Sequence, residues 1–271
     1  MDFIDFCRVH GIVIDNLPPI GRWVRLPTES HPRKRNGAVK YMGDHGFVQD
    51  HANMQEVALW RGERTKVDMQ AVRQAARQER QKLELGRKEA SSKAQWIVKQ
   101  CRLATHPYLE RKGFPELQGL VWERRDARLL VVPMRIDGVV CGVQLISEDG
   151  TKKFLKGQAS QGATFTMGYP GVPRVWCEGY ATALSVHKAA SLARLRVQVV
   201  AAFSAHNLQV LAKDGHIVAD NDPKFAGEMA AKAAGRPYWI SPVCGEDFND
   251  FMLRVGPFQA SRAIAELVRM T

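Results

Sequence analysis

The sequence predicts an α/β protein: a parallel sheet with helices on both faces, preceded by a mixed α+β segment and a small β-rich amino-terminal unit. Three observations predict it. From residue 174 onward, short apolar runs alternate with helical patterns, which is how a parallel sheet covered by helices reads. Two of those runs, Val175-Trp176-Cys177-Glu178 and His216-Ile217-Val218-Ala219-Asp220-Asn221-Asp222, stop on acidic residues. The first sixty residues read instead as short strands separated by turn residues.

Composition bounds what such a fold can do. The 271 residues suffice for one large or two modest domains with a stable core. With 45% hydrophobic and 25% charged residues the chain is ordinary for a globular protein, but its net charge of +11 is not. A basic surface attracts nucleic acid, anionic membrane or acidic partners. No apolar run approaches a membrane span, and Asp2 and Asp5 stand where a signal peptide would be basic. The five cysteines are scattered, odd in number and without a CxxC pair, as expected of reduced thiols in a cytoplasmic protein.

In chain order, residues 1–60 form the first expected domain. Residues 2–10 suit a short helix, and Leu17-Pro18-Pro19 breaks the chain after it. Strands are expected over 22–26, 37–42 and 46–49, with Gly43-Asp44-His45-Gly46 as a hairpin turn. The loop carrying Arg33, Lys34 and Arg35, with Lys40, lies close in sequence to Trp23, Tyr41 and Phe47. This set can grip single-stranded DNA by charge and stacking, or be a solvated loop over a small aromatic core. Residues 61–104 read as a charged helical linker, with twelve Lys/Arg against five Asp/Glu from Arg61 to Arg102. A thin apolar stripe runs over 67–72, and Gly86 with Ala90-Ser91-Ser92 marks a break into two helices.

Residues 105–170 form a mixed α+β subdomain with strands over 129–135 and 139–146 joined at Ile136-Asp137-Gly138. Residues 171–271 carry the α/β alternation and closing helices. Ligands gather at the carboxyl ends of parallel strands, which here are Glu178, Asp220 and Asp222. Residues two apart on an extended chain face the same way, so Asp220 and Asp222 can share one cation. Hard oxygen donors without His or Cys suit Mg²⁺ held together with a phosphate. Asp247 and Asp250 either add to that shell or, for Asp247, cap a helix. No GxxxxGK[S/T] sequence occurs, so a helicase is expected as a separate protein.

Glu178-Gly179 at a strand end, then Asp220-Asn221-Asp222 about forty residues later before an Ala/Gly-rich helix, resembles the Toprim domain. His106-Pro107-Tyr108-Leu109-Glu110-Arg111-Lys112-Gly113, residues 129–142 and 153–157, Gly162, Asn207-Leu208 and Gly245-Glu246-Asp247-Phe248-Asn249-Asp250-Phe251 resemble the catalytic core of bacterial, phage and plasmid DNA primases. The resemblance covers residues 104–255. It implies a Rossmann-like Toprim sheet after a primase-core subdomain, and a nucleotidyltransferase that makes short primers on single-stranded DNA for a phage, plasmid or other mobile element. Implied with it are Mg²⁺ or Mn²⁺ on Asp220 and Asp222, and Glu178 as metal ligand or general acid/base. Arg135, Lys153 and Lys156 would hold template or nucleotide phosphates. The implied partners are single-stranded DNA, nucleoside triphosphates and a separate replicative helicase, in the cytoplasm of a bacterium or phage-infected host. By position the first domain resembles the zinc-binding module of primases, but it lacks paired cysteines. His31, His45 and His51 do not replace them, so no zinc is expected. The alternatives are a non-catalytic DNA-binding accessory protein, discriminated by absent synthesis, and a Toprim nuclease, discriminated by nicking.

Overall fold

The computed structural model describes residues 1–62 and 69–270, without the side chains of residues 69–73 and 75. The apolar stripe expected over 67–72 lies outside that description. The chain divides into two compact units, Met1–Leu85 and Gly86–Thr271.

In the first unit, α1 (Phe3–Val9) is capped by Asp2, whose carboxylate accepts from the Asp5 amide at 2.8 Å. Four strands follow: β1 (Trp23–Leu26), β2 (Gly37–Tyr41), β3 (His45–Asp50) and β4 (Ala58–Arg61). They form an antiparallel sheet in that order. The expected hairpin joins β2 to β3, while β4 is an additional strand. One face of the sheet packs Val39, Val48 and Trp60 against Phe3 and Cys7 of α1. Gly46 makes this possible, because any side chain there would strike the Phe3 ring.

Helix α2 (Met69–Gln100) is continuous where two helices were expected. A glycine costs a helix about 1 kcal/mol, too little to stop 32 residues. Gly86 instead coincides with the boundary between the units. From there α2 belongs to the second unit's core, with Ala94 and Ile97 buried against Val131, Val140 and Val143.

The second unit begins with an antiparallel sheet. It comprises β5 (Arg102–Ala104), then after α3 (Pro107–Arg111) the strands β6 (Gly119–Arg124), β7 (Ala127–Ile136), β8 (Val139–Ile146) and β9 (Lys152–Phe154). Next comes β10 (Phe165–Gly168), followed by the α/β alternation: β11 (Arg174–Cys177), α4 (Tyr180–Leu192), β12 (Gln198–Ala201), α5 (Ala205–Leu211), β13 (His216–Ala219), α6 (Ala226–Ala234) and β14 (Tyr238–Ile240). Helices α7 (Phe248–Val255) and α8 (Pro257–Arg269) close the chain.

The second sheet has the order β10-β12-β11-β13-β14, parallel except for β10, which lies antiparallel at the edge. Side-chain alternation along β11 shows its two covered faces. Val175 and Cys177 enter the core shared with α4, α7 and α8, and Trp176 enters the opposite core with Leu208 of α5 and Ala230 of α6.

A buried amide fastens the loop before β10 to this sheet. The Asn207 Nδ2 donates to the carbonyls of Ser160 at 2.7 Å and Ala202 at 2.9 Å, and its Oδ1 accepts from the Gly162 amide at 3.2 Å. Asn207→Ala leaves these buried groups unpaired, and should lower the unfolding free energy by about 2–4 kcal/mol in urea titrations.

Candidate active site

Strands β11 and β13 pair directly, with Cys177 opposite Val218. Glu178 therefore leaves one strand end beside Asp220 leaving the next, as expected of a parallel sheet. Both are partly buried. Gly179 caps α4 and Thr182 lies in its first turn, where its Oγ1 donates to Asp220 Oδ1 at 3.4 Å. The Ala205 amide at the start of α5 hydrogen-bonds the Glu178 carboxylate.

Asp222 takes a different position from Asp220. Strand β13 ends at Ala219, so the alternation that would align the two carboxylates does not extend to them. Asp222 accepts from the amides of Lys224 at 2.9 Å and Gly227 at 3.0 Å, and so holds the entry to α6. Between them, Asn221 Nδ2 donates to the Ser241 carbonyl at 2.9 Å, and its backbone bonds Gly245 and Glu246. Asp247 caps α7, in a reciprocal capping box with Asp250.

These placements set the electrostatics. Burial, then the negative charges of Asp247 and Glu178, push Asp220 up to about 7, against the Thr182 hydrogen bond and Lys152. Burial and the Asp222 charge raise Glu178, with the Ala205 amide and Lys152 opposing. Burial acts on Asp222 too, but the amides of Gly227, Ala226 and Lys224 outweigh it and hold that carboxylate below its usual range. Among the described residues no three His, Cys, Asp or Glu side chains form a ready-made cage for an ion. The donor chemistry nevertheless fits a hard divalent cation: Glu178 and Asp220 are oxygen donors whose mutual repulsion such a charge would relieve.

Residues 174–257 match the Toprim domain family. This segment is a Toprim domain. The chain is 34% identical over 115 residues to two DNA primase TraC proteins of Escherichia coli. Each match covers 41% of this chain but only 8% and 10% of the relatives, so the chain spans about a tenth of their length. Two bacteriophage T7 structures are similar at lower identity. One, of lagging-strand DNA polymerase with primase domains of two gp4 subunits, has a TM-score of 0.42 at 18% identity, covering 62% of this chain and 91% of that one. The other, the primase fragment of the primase-helicase protein, gives 0.42 at 17%, covering 60% and 69%.

The basic residue beside the Toprim carboxylates differs from those expected. Lys152 is the cation whose charge reaches both Glu178 and Asp220. Its neighbour Lys153, expected in that role, points to the other face of β9, because successive strand residues alternate. Arg135 donates to the Gly138 carbonyl at 3.0 Å at the β7–β8 turn, and Lys156 is exposed in the turn after β9. Lys152 shares a cleft of about 380 Å³ with Tyr108, Arg111, Lys112 and Asp250. Lys112 pairs with Asp250 at 3.4 Å, and Arg111 bonds the Glu148 carbonyl. The cleft sets Tyr108, Arg111 and Lys112 of the His106–Gly113 motif beside Lys152 and against Asp250 of α7. Arg33, Lys34, Arg35 and Lys40 belong to the first unit.

Two outcomes follow for the Toprim site. A side chain at Gly227 would run into the Asp220 carbonyl, so Gly227→Ala should cost about 1–3 kcal/mol in thermal or urea unfolding. An acid whose folded pKa is raised loses stability as pH rises from its unfolded value, 3.8, toward its folded value, about 7. Without divalent ions, Asp220→Asn should therefore be more stable than wild type at pH 8, by on the order of 1–4 kcal/mol. That gain should vanish near pH 4, which urea titrations across pH will test.

Proposed function

We propose that this chain is a primase-like nucleotidyltransferase that extends short primers on single-stranded DNA, in the replication of a phage, plasmid or other mobile element. The observation that carries the reading is the pair of partly buried carboxylates, Glu178 and Asp220, on adjacent parallel strands of a Toprim domain and within reach of the Lys152 charge. Similarity to the TraC primases supports it.

In the reaction, a 3′-hydroxyl oxygen bonds to the α-phosphorus of a nucleoside triphosphate, the bond to pyrophosphate breaks, and the hydroxyl proton leaves to a base. Mg²⁺ or Mn²⁺, held by Asp220 with Asp222 at the edge, would neutralise phosphate charge and acidify the hydroxyl. Glu178 is the base within the chain, since its raised pKa gives it more proton affinity than an ordinary carboxylate. Lys152, Arg111 and Lys112 hold the triphosphate, whose negative charge exceeds what the cation cancels. Asp222 keeps the Asp220 loop and α6 in place through its amide bonds. Arg135, Lys153 and Lys156 lie on the same subdomain and contact the template backbone. A replicative helicase activity would work alongside it. Among the described residues, no helix is long and apolar enough to cross a membrane.

The test is synthesis from labelled nucleoside triphosphates on single-stranded DNA with Mg²⁺ or Mn²⁺. Wild type should yield short products. Glu178→Ala, Asp220→Ala and Asp222→Ala should each lose at least about 100-fold in rate while retaining DNA binding. Nicked DNA without products would mean a nuclease, and neither activity would mean a binding protein.

A further inference from the structure

The first unit has a row of aromatic and basic side chains on the sheet face opposite α1. Residues paired across an antiparallel sheet point the same way. The register Trp23–Lys40–Phe47–Leu59 thus draws one row across all four strands. Tyr41, one residue after Lys40, turns the other way and stacks on Phe3 in the core, with ring centroids 5.1 Å apart. This divides the amino-terminal aromatics into an inner set and an outer set. Trp23 is 47% exposed and Leu59 44%. The Trp23 and Phe47 rings approach to 6.2 Å across the intervening β2, on which Lys40 stands.

The next row adds His45 opposite Arg61, and the His45 ring meets Phe47 edge-on at 5.6 Å. His45 is held by Asp44 at 2.6 Å. These residues, with Leu59, line a cleft of about 490 Å³ at one side of the row. On the other side, Arg25 is exposed on the same face of β1 as Trp23. The exposed Arg33, Lys34 and Arg35 occupy the β1–β2 loop. The aromatic row is therefore bracketed by cations, with Asp44 beside His45 and with Glu79 of α2 paired to Arg22, next to Trp23, at 3.7 Å.

We propose that this face binds single-stranded DNA, with bases stacked on Trp23 and Phe47 and phosphates held by Lys40 and Arg61. Charge complementarity, the exposed Trp23 ring and the half-buried Phe47 ring beside it select this occupant. A single strand offers both anionic phosphates and free base faces, whereas a duplex hides its base faces. The row is roughly 15 Å long, the width of four strands. It needs neither a metal nor the carboxylates of the second unit, so it stands apart from the catalytic proposal.

The test is fluorescence anisotropy of the full chain with a labelled oligo-dT, without nucleotides or divalent ions, so that binding is scored apart from synthesis. Trp23→Ala and Phe47→Ala should each weaken binding at least about five-fold, and Trp23→Phe should restore most of the loss. Lys40→Gln with Arg61→Gln should lower the slope of log K against log salt by about 1.4. All four positions lie on the open face, and unchanged circular dichroism and melting would confirm intact folding. Affinities within two-fold of wild type for both aromatic variants would overturn the proposal. So would equal binding of duplex DNA with the same sensitivity to these variants. It would also fall if the variants bound DNA normally but lost self-association in sedimentation, since the face would then belong to a second copy.

Discussion

The second unit is built around an unfavourable arrangement: carboxylates brought together, partly out of water, at the ends of two adjacent strands. Parallel pairing of β11 with β13 forces Glu178 and Asp220 to be neighbours. Burial and like charge then push both up, Asp220 to about 7. Such a cluster persists only if the backbone around it is over-determined by other bonds. The commitment of Asp222 to three backbone amides is one such bond set, and the exclusion of a side chain at Gly227 is another.

Three buried or partly buried asparagines supply much of the rest. Asn207 ties the 160–163 loop to α5 and β12. Asn221 ties the acidic loop to the turn before α7. Asn249, fully buried, donates to the Lys112 carbonyl at 2.8 Å and to Ser185 Oγ at 2.9 Å, and so docks α3 and its basic residues against α4. Arg111 and Lys112 come from a segment at least 66 residues before the carboxylates. An amide whose nitrogen can donate twice is suited to joining such segments.

What could be read from the sequence follows from which physical signals are local. Alternation of apolar runs and helices is local, and it located β11, β12, β13 and β14 with their helices. The same signal placed Glu178 and Asp220 at strand ends. The cap on α7 was legible because Asp247 and Asp250 stand at capping-box spacing. Facing direction was harder. Lys152 and Lys153 are chemically identical neighbours, and a one-residue choice of phase decides which meets the acids. The expected alignment of Asp222 with Asp220 fails because Asp222 turns to the amides of Lys224 and Gly227, a bond set that the apolar pattern does not report. The antiparallel β10 was hidden for a related reason, since its partner β12 lies about thirty residues away and pairing partners leave little local trace. Gly86 misled in the opposite sense: its intrinsic cost is real, but tertiary packing of Ala94 and Ile97 outweighs it.

The chemistry of the shell around the carboxylates has a further consequence. Thr182, Ser185, Asn207, Asn221 and Asn249 are all neutral, so they hold backbone in place without altering the charge at the site. An arginine among them would satisfy the carboxylates internally and draw their pKa values down, as Arg254 does for Glu246, held at about 2. The remaining countercharge comes from Lys152, which is exposed and reaches the site across solvent. A neutral interior and a mobile-side-chain cation at the rim leave the carboxylates under-compensated, and therefore able to gain from any positive charge that enters. The same frame that costs the protein stability by itself is what would make an entering cation bind.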